Sequence, residues 1–254
     1  MDKKRVLNNI VAPIAGLALF ILIWYLIAVS IGKSIILPTP IETLREFFAL
    51  FADGAFYLAV GSTLGRTLLG FVIAFALASL FAFLSSRSAF VKNLFSPFAV
   101  ILRVLPTISI ILLVLIWFRS TLAPYVITFV VIFPMLYKIV LDAIEQVDRG
   151  LIEMSDVYRF SNSKKLFHIY LPQMTPALLT GEGVTLSFSV KLTVAAEVLA
   201  YTKDSLGRNL QQASAYIETA KLLAWTLAAI LLGFLLEGVV LLIKKLLVRH
   251  YYGK

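Results

Sequence analysis

The chain has 254 residues, of which 60% are hydrophobic and only 15% are charged, and its mean hydropathy is +0.94. A soluble domain carries about a quarter charged residues, so the composition excludes an ordinary soluble protein. The chain has no cysteine, which excludes disulfides and thiolate chemistry. Its net charge of +9 leaves two explanations, nucleic-acid binding or a membrane protein with basic cytoplasmic loops.

The first predicted element is a membrane span over residues 11–31, which carry no charge and follow a basic head at residues 1–5. About 20 apolar residues are enough to cross a bilayer. A signal peptide is the rival interpretation. We favour a retained span because the apolar run is too long and no small-residue cleavage site follows it.

A short helix over residues 41–53 is predicted next. Thr39 can serve as its N-cap, Pro40 occupies the first helical position, and Glu42 follows three residues after the cap. The apolar stripe of this helix consists of Ile41, Leu44, Phe48 and Phe51. The pattern is typical of a helix that lies in the membrane interface, and packing on other helices is the alternative.

Five further apolar segments are long enough to cross the bilayer. They are residues 67–86, 94–118, 120–141, 172–199 and 222–243. The segment 94–118 is interrupted by Arg103 and Pro106. The last segment carries Glu237, for which a structural role is favoured because Lys244 and Lys245 lie near the same interface. The chain is therefore predicted to be an all-α polytopic membrane protein with six transmembrane helices.

Six spans place both termini on one side of the membrane, so the distribution of basic residues can be compared between the two sides. Fourteen lie on the side of the termini: Lys3, Lys4, Arg5, Arg87, Lys92, Lys138, Arg149, Arg159, Lys164, Lys165, Lys244, Lys245, Arg249 and Lys254. Six lie on the other side: Lys33, Arg45, Arg119, Lys203, Arg208 and Lys221. Cytoplasmic loops carry the excess of Lys and Arg, so both termini are predicted to be cytoplasmic. Topology thus explains the basic charge, and no nucleic-acid partner is expected.

A polar, helix-compatible segment over residues 151–172 interrupts the apolar chain. Its large apolar residues recur at spacings of three and four, which places them on one side of a helix. They are Leu151, Met154, Val157, Tyr158, Leu166, Phe167 and Ile169. The run Ser161-Asn162-Ser163 indicates a break, with Ser163 able to cap a second short helix. A solvated loop has no need of such side chains, so we expect another protein to pack on this segment.

Several kinds of chemistry have no support in the sequence. There is no Gly-x-x-x-x-Gly-Lys-Ser/Thr loop for binding ATP phosphates. His168 and His250 show no metal-ligand spacing, and no nucleophile–base constellation stands out. We therefore expect no metal, no cofactor and no catalysis by this chain alone.

Charged residues inside the predicted spans are candidates for function, because ionisable groups at membrane depth usually face a bundle interior, a partner or a water-filled path. Arg103 and Glu182 each lie about 15 Å deep by helical rise. They are candidates either for a structural pair or for the translocation path. Lys191 and Glu197 are six residues apart, about 240° around a helix, so they are expected to have different partners.

The segment 151–172 resembles the cytoplasmic coupling loop of binding-protein-dependent ABC importer permeases. That family pattern is Glu-Ala-Ala, a Gly six residues after the Glu, and Ile-x-Leu-Pro ending nineteen residues after it. Here Glu153 matches, and the run Ile169-Tyr170-Leu171-Pro172 falls in register. Met154 and Ser155 replace the two alanines, and Arg159 stands in place of the Gly. The run Ser161-Asn162-Ser163 can supply the turn between the helices instead.

Other stretches, in order along the chain, resemble the permeases of nitrate, sulfonate, taurine and thiamine-precursor importers. They are Leu37-Pro38-Thr39-Pro40, Leu102-Arg103-Val104-Leu105-Pro106, Ala195-Ala196-Glu197, Leu206-Gly207-Arg208 and Ala224-Trp225. The resemblance implies a type I ABC importer permease fold, with residues 1–254 as one transmembrane domain and residues 150–172 as the coupling loop. It also implies a small anionic or heterocyclic solute.

The partners that the resemblance implies are a second permease subunit, two cytoplasmic ABC ATPase subunits that hydrolyse ATP, an extracytoplasmic substrate-binding protein and the lipid bilayer. A homodimer is favoured over a close heterodimer. The residues implied in ATPase coupling are Glu153, Met154, Asp156, Val157, Tyr158, Arg159, Leu166 and Phe167. The alternative function is an ion-coupled secondary transporter that uses Arg103, Glu182, Lys191 and Glu197. A non-transporting membrane scaffold has little support.

Overall fold

The computed structural model describes the backbone of residues 11–252 and the side chains of residues 11–247, and every regular element in that part is helical. The all-α prediction is confirmed. The basic head at residues 1–5, Lys254, and the side chains of Arg249 and His250 lie outside the described part. The helices are α1 Ala12–Ile31, α2 Pro40–Leu50, α3 Gly54–Arg87, α4 Ala89–Val104, α5 Thr107–Trp117, α6 Ala123–Glu145, α7 Arg149–Val157, α8 Asn162–Lys165, α9 Leu171–Ala200, α10 Leu206–Ala215 and α11 Thr219–Tyr252.

Contacts between the segments that connect the helices identify which segments lie at each end of the bundle. One end carries residues 149–170 and is called the loop end; there Lys92, near the start of α4, forms an ion pair with Glu145 at the end of α6 (2.5 Å). At the opposite end, Thr202 after α9 donates a hydrogen bond to the carbonyl of Ser120 after α5 (2.8 Å). The pair α4 and α5 therefore runs from one end to the other and counts as one crossing. With α1, α3, α6, α9 and α11, the bundle has the six predicted spans.

The span formed by α4 and α5 is broken rather than straight. The two helices meet at an angle of 99°, and the break lies at Leu105 and Pro106, which have extended backbone angles. Proline disfavours helical geometry in the residue before it, which explains why α4 ends at Val104. The predicted interruption at Pro106 is confirmed. Arg103 lies inside α4 and takes no part in the break.

The core of the bundle is built from α3, α6, α9 and α11, with α6 packed against both α3 and α9. The face of α3 that packs on α6 is made of small residues such as Gly70, Ala74 and Ala78, all buried. A Cβ added to Gly70 would lie 3.1 Å from the Cβ of Thr128. In membrane helices, small residues allow the backbones to approach closely, and van der Waals packing then holds the helices together.

The first two helices lie at the edge of the bundle. Only 6% of the apolar window of α1 is buried, so nearly the whole surface of α1 is exposed in the single chain. The predicted capping box of Thr39 and Glu42 is present at the start of α2. Phe47 packs inward from α2, whereas Ile41 and Phe48 of the predicted stripe remain 69% and 67% exposed. One face of the helix thus packs on the bundle, and the predicted apolar stripe is exposed.

Several helices are longer than predicted at the ends where polar residues occur, and α3 and α9 are two clear cases. Helix α3 begins at Gly54, 13 residues before the predicted start at 67, because the charge of Arg66 is paired inside the structure and does not end the helix. Helix α9 continues without a break from α8 through a π-helical turn, Leu166–Tyr170. The segment 162–200 is therefore one helical rod of 39 residues.

Candidate functional site

The first candidate site is the segment at the loop end. Its first helix, α7, is capped by Asp148, whose side chain accepts a hydrogen bond from the backbone N–H of Gly150 (2.8 Å). The backbone N–H of Asp148 donates to Gln173 Oε1 in α9 (3.0 Å). These two bonds fix the start of α7 against the long rod 162–200.

The turn between α7 and α8 is made at Arg159. This residue has a φ of +52°, the left-handed conformation that favours glycine, and Phe160 donates its backbone N–H to the carbonyl of Ser155 (2.9 Å). Arg159 thus adopts the geometry that the family pattern supplies with a glycine. The prediction that Ser163 caps the second helix is wrong. The helix begins two residues earlier, where Ser161 is extended and its Oγ accepts from the N–H of Lys164 (3.4 Å).

The two limbs of this turn are held together by side chains. Lys165 forms an ion pair with Asp156 across the turn. The ammonium group of Lys164 lies 6.0 Å from the centre of the Phe160 ring. Isolated exposed ion pairs contribute little, but these contacts join the same two helices that the backbone turn already fixes. The segment is therefore one structural unit attached to the end of α9.

The predicted coupling residues all lie on the exposed side of this unit. We call them the coupling surface: Glu153, Met154, Asp156, Val157, Tyr158, Arg159, Leu166 and Phe167. Among them Val157 is 80% exposed, Tyr158 71% and Phe167 58%, whereas Ser155 and Ile169 point inward and are buried. Large apolar side chains that stay exposed together mark a surface for another protein.

The second group of candidates lies within the spans, and the structure does not pair Arg103 with Glu182. Among the described residues no carboxylate lies within 4.0 Å of Arg103, which is exposed on α4. Helix α4 packs on α3 and α6, whereas α9 packs chiefly on α6 and α11. Glu182 is half-buried, and its Oε1 has no hydrogen-bond partner in the described part of the chain. The predicted pair is therefore not formed within one chain.

Glu197 is the centre of a buried polar cluster at the opposite end. Its carboxylate is fully buried and accepts hydrogen bonds from Arg66 Nη1 (2.8 Å), Thr63 Oγ1 (2.9 Å) and the backbone N–H of Gly207 (3.2 Å). Arg66 also donates to the carbonyl of Lys203 (3.1 Å). Buried carboxylates require such donors, so this cluster joins α3, α9 and the segment after α9. Neither Arg66 nor Thr63 was among the candidate residues predicted from the sequence.

Gly207 is required by the packing of this cluster. A Cβ at this position would lie 2.4 Å from the Cβ of Glu197 and 2.6 Å from the carbonyl oxygen of Val194. The backbone of α10 thus touches that of α9, and Leu206 donates its N–H to Thr63 Oγ1 (3.1 Å). The motifs Ala195-Ala196-Glu197 and Leu206-Gly207-Arg208, separate in sequence, form one contact in the fold.

Lys191 lies apart from the other charges. Its side chain is exposed on α9, and among the described residues it has neither an ion pair nor a hydrogen bond. Glu182 is nine residues earlier, half a turn around the helix, and Glu197 is bound to Arg66. The four intramembrane charges therefore do not gather into one relay within the chain, and this gives the ion-coupled alternative no support.

Residues 70–250 match the family described as the binding-protein-dependent transport system inner membrane component. The chain belongs to this family. It is therefore a permease component of an ABC importer, a multi-pass protein of the inner membrane. The predicted family is confirmed, and the exposed segment at the loop end lies within the matched residues.

Curated relatives of this permease extend over most of its length. The taurine transport system permease protein TauC of Escherichia coli is 24% identical over 237 residues, covering 91% of this chain and 86% of TauC. The putative aliphatic sulfonates transport permease protein SsuC of the same organism is 26% identical over 231 residues, covering 89% and 87%. The nitrate import permease protein NrtB of Synechocystis is 23% identical over 202 residues, covering 75% and 72%.

A solved structure shares the fold. An inward-facing form of the MetNI methionine ABC transporter contains a chain that superposes with a TM-score of 0.63 at 20% sequence identity. The match covers 78% of this permease and 96% of that chain. At this identity the likeness concerns the fold alone, and it confirms the predicted permease fold.

Proposed function

We propose that this permease forms the translocation path of a binding-protein-dependent importer and is driven by two ABC ATPase subunits that dock on its coupling surface. ATP is hydrolysed by those subunits, and the permease itself is not catalytic. The coupling surface carries the proposal, because Val157, Tyr158 and Phe167 are exposed on a unit that is fixed in place at the end of a long rod. A rigid, apolar, exposed surface suits a permanent partner.

The loop end is the cytoplasmic end in this proposal. Of the described basic residues, nine lie at the loop end: Arg87, Lys92, Lys138, Arg149, Arg159, Lys164, Lys165, Lys244 and Lys245. Six lie at the opposite end: Lys33, Arg45, Arg119, Lys203, Arg208 and Lys221. Cytoplasmic segments carry this excess, so both termini and the coupling surface face the cytoplasm, where ATP is available.

The whole chain, residues 1–254, acts as one transmembrane domain of a homodimer. A substrate-binding protein docks at the extracytoplasmic end. In a dimer with a two-fold axis along the membrane normal, equivalent residues lie at equal depth and both coupling surfaces face the cytoplasm. Each ATPase subunit therefore has an identical docking site.

The substrate we propose is a small solute that carries an oxyanion group. The relatives are named for taurine, aliphatic sulfonates and nitrate. Taurine and sulfonates share the sulfonate group, and nitrate is itself a compact oxyanion. A permease of this kind needs cationic groups along its path, and Lys191 and Arg103 are exposed cations inside the spans.

Transport follows from rigid-body movement of the docked segment. The coupling surface is continuous with the rod 162–200, which crosses the membrane. Movement of the ATPase subunits on ATP binding therefore tilts a helix that lines the bundle, and the path opens alternately to each side.

The test is affinity purification of the tagged permease from its own host, followed by identification of co-purifying ATPase subunits. Glu153→Lys should abolish recovery of the ATPase and reduce coupled ATP hydrolysis, because it reverses a charge on the coupling surface. Glu218→Lys is the matched control, since Glu218 is an exposed carboxylate at the opposite end. If the wild-type permease and the Glu153→Lys variant recover the same amount of ATPase, the docking assignment is refuted. Recovery of no ATPase with wild type would refute the importer proposal.

A further inference from the structure

Lys191 lies near the middle of the membrane. It is nine residues before Ala200, the last residue of α9, which corresponds to about 14 Å of helical rise. A hydrocarbon layer of about 30 Å takes about 20 helical residues, so Lys191 falls close to its centre. A charged group at this depth is costly unless water or a counter-charge reaches it.

The face of α9 that carries Lys191 does not resemble a lipid-facing surface. Its exposed members recur at spacings of three, four and seven: Ala177, Thr180, Val184 and Lys191. Helix α1, by contrast, exposes large aliphatic and aromatic side chains such as Leu17 and Phe20, at 62% and 65%. Val184 is apolar and 59% exposed, but Thr180 and Lys191 are polar, and a lysine exposed at this depth requires water or another protein beside it.

None of the described residues of the chain supplies a counter-charge to Lys191. Glu197 is already bound to Arg66, and Glu182 lies on the opposite side of α9. A second copy related by the two-fold axis places its own Lys191 at the same depth. If this face of α9 borders the axis, the two ammonium groups also lie close together, repel each other and create a strongly positive region.

We infer that the α9 face that carries Lys191 borders the two-fold axis, and that Lys191 and the same lysine of a second copy form a binding site for the oxyanion group of the solute, half-way along the translocation path. This inference rests on the proposed function and specifies where in the path the solute is held. Each ammonium group donates hydrogen bonds to the anion, and the anion relieves the repulsion between the two lysines. A solute without a negative group gains nothing at this point, so the site also selects by charge.

The site can be tested without transport, because the chain has no cysteine and one can be introduced next to Lys191. Ala195→Cys lies one turn further on the same face of α9. Its reaction rate is measured in permeabilised membranes with an anionic and a cationic reagent, 2-sulfonatoethyl and 2-aminoethyl methanethiosulfonate. We expect Lys191→Gln to lower the ratio of anionic to cationic rate at least about tenfold, because the positive field is lost.

Two controls accompany this measurement. Lys33→Gln removes an exposed lysine at the end of the bundle and should leave the ratio unchanged. Leu22→Cys, on the lipid-facing α1, should react with neither reagent. Sodium methanesulfonate or sodium nitrate at millimolar concentration should slow the reaction of the Ala195→Cys variant. A ratio that does not depend on Lys191, or an Ala195→Cys variant that is inert to both reagents, overturns the site.

A transport measurement separates this inference from the proposed function. The complete importer is assayed for ATP-dependent uptake of labelled taurine, methanesulfonate and nitrate. Lys191→Gln should reduce uptake at least about tenfold and Lys191→Arg should retain most of it, because the arginine keeps the charge. Normal uptake by Lys191→Gln refutes the site and leaves the importer intact. A charge-dependent reaction at position 195 with no uptake by wild type supports the site and refutes the proposed substrate class.

Discussion

Removal of the Arg66 guanidinium should destabilise the permease by about 3 kcal/mol. Breaking a buried ion pair costs about 3–5 kcal/mol, because the remaining charge is left without its partner in a low dielectric. Here Glu197 is fully buried, but 14% of the Arg66 side chain is exposed. Thr63 and the N–H of Gly207 also continue to donate to the carboxylate. Both facts place the loss of stability caused by Arg66→Met at the lower end of that range.

A double variant distinguishes a stranded charge from lost packing. Arg66→Met with Glu197→Gln leaves no buried charge, and the glutamine amide oxygen can still accept from Thr63 and Gly207. The double variant should therefore recover at least about half of the free energy of unfolding that Arg66→Met loses. A cost that arose from the shape of the arginine side chain would remain in both variants.

The assay is unfolding of the purified permease by sodium dodecyl sulfate in mixed micelles, followed by tryptophan fluorescence, to which Trp225, 4% exposed in the core, contributes together with Trp24 and Trp117. Arg119→Met is the control, because Arg119 is an exposed arginine at the same end of the bundle. An Arg66→Met variant that unfolds within about 1 kcal/mol of wild type would refute the reasoning. So would a double variant that is less stable than Arg66→Met.

Two further predictions concern the orientation of the chain and the turn at the loop end. In intact cells an impermeant thiol reagent should label Lys203→Cys and spare Lys164→Cys, and the reverse labelling would overturn the proposed orientation. Arg159→Gly should raise the free energy of unfolding by about 1 kcal/mol, because glycine adopts a φ of +52° without the cost that other residues incur. Arg159→Val should lower it, and a lower melting temperature for the glycine variant than for wild type would contradict the assigned turn.

The sequence predicted the spans well because each depends on a local property, a run of apolar residues long enough to cross the membrane. It did not predict the partner of Glu197. Arg66 is 131 residues away, and nothing local to either residue indicates that α3 and α9 meet there. Arg66 instead suggested a boundary, because a charge normally ends an apolar run. The predicted pair of Arg103 and Glu182 is not formed within the chain, for a related reason. Equal depth in the membrane does not establish that two helices are neighbours.

At the loop end the sequence predicted which residues are exposed but not how the chain turns. The periodic apolar residues and the register of Glu153 with Pro172 were local signals. The left-handed conformation of Arg159 could not be predicted, because an arginine in the sequence gives no indication of a positive φ. The run Ser161-Asn162-Ser163 suggested the turn, but its first serine forms the cap, two residues after the left-handed Arg159.

The long rod 162–200 has a mechanical consequence. Its far end is anchored at Glu197, and Leu166 on the coupling surface lies 31 residues, or about 46 Å, from that anchor. A tilt of about 5° about the anchor moves Leu166 by about 4 Å but moves Lys191, six residues from the anchor, by less than about 1 Å. The same tilt of the rod therefore produces a large displacement at the loop end and a small one near Lys191.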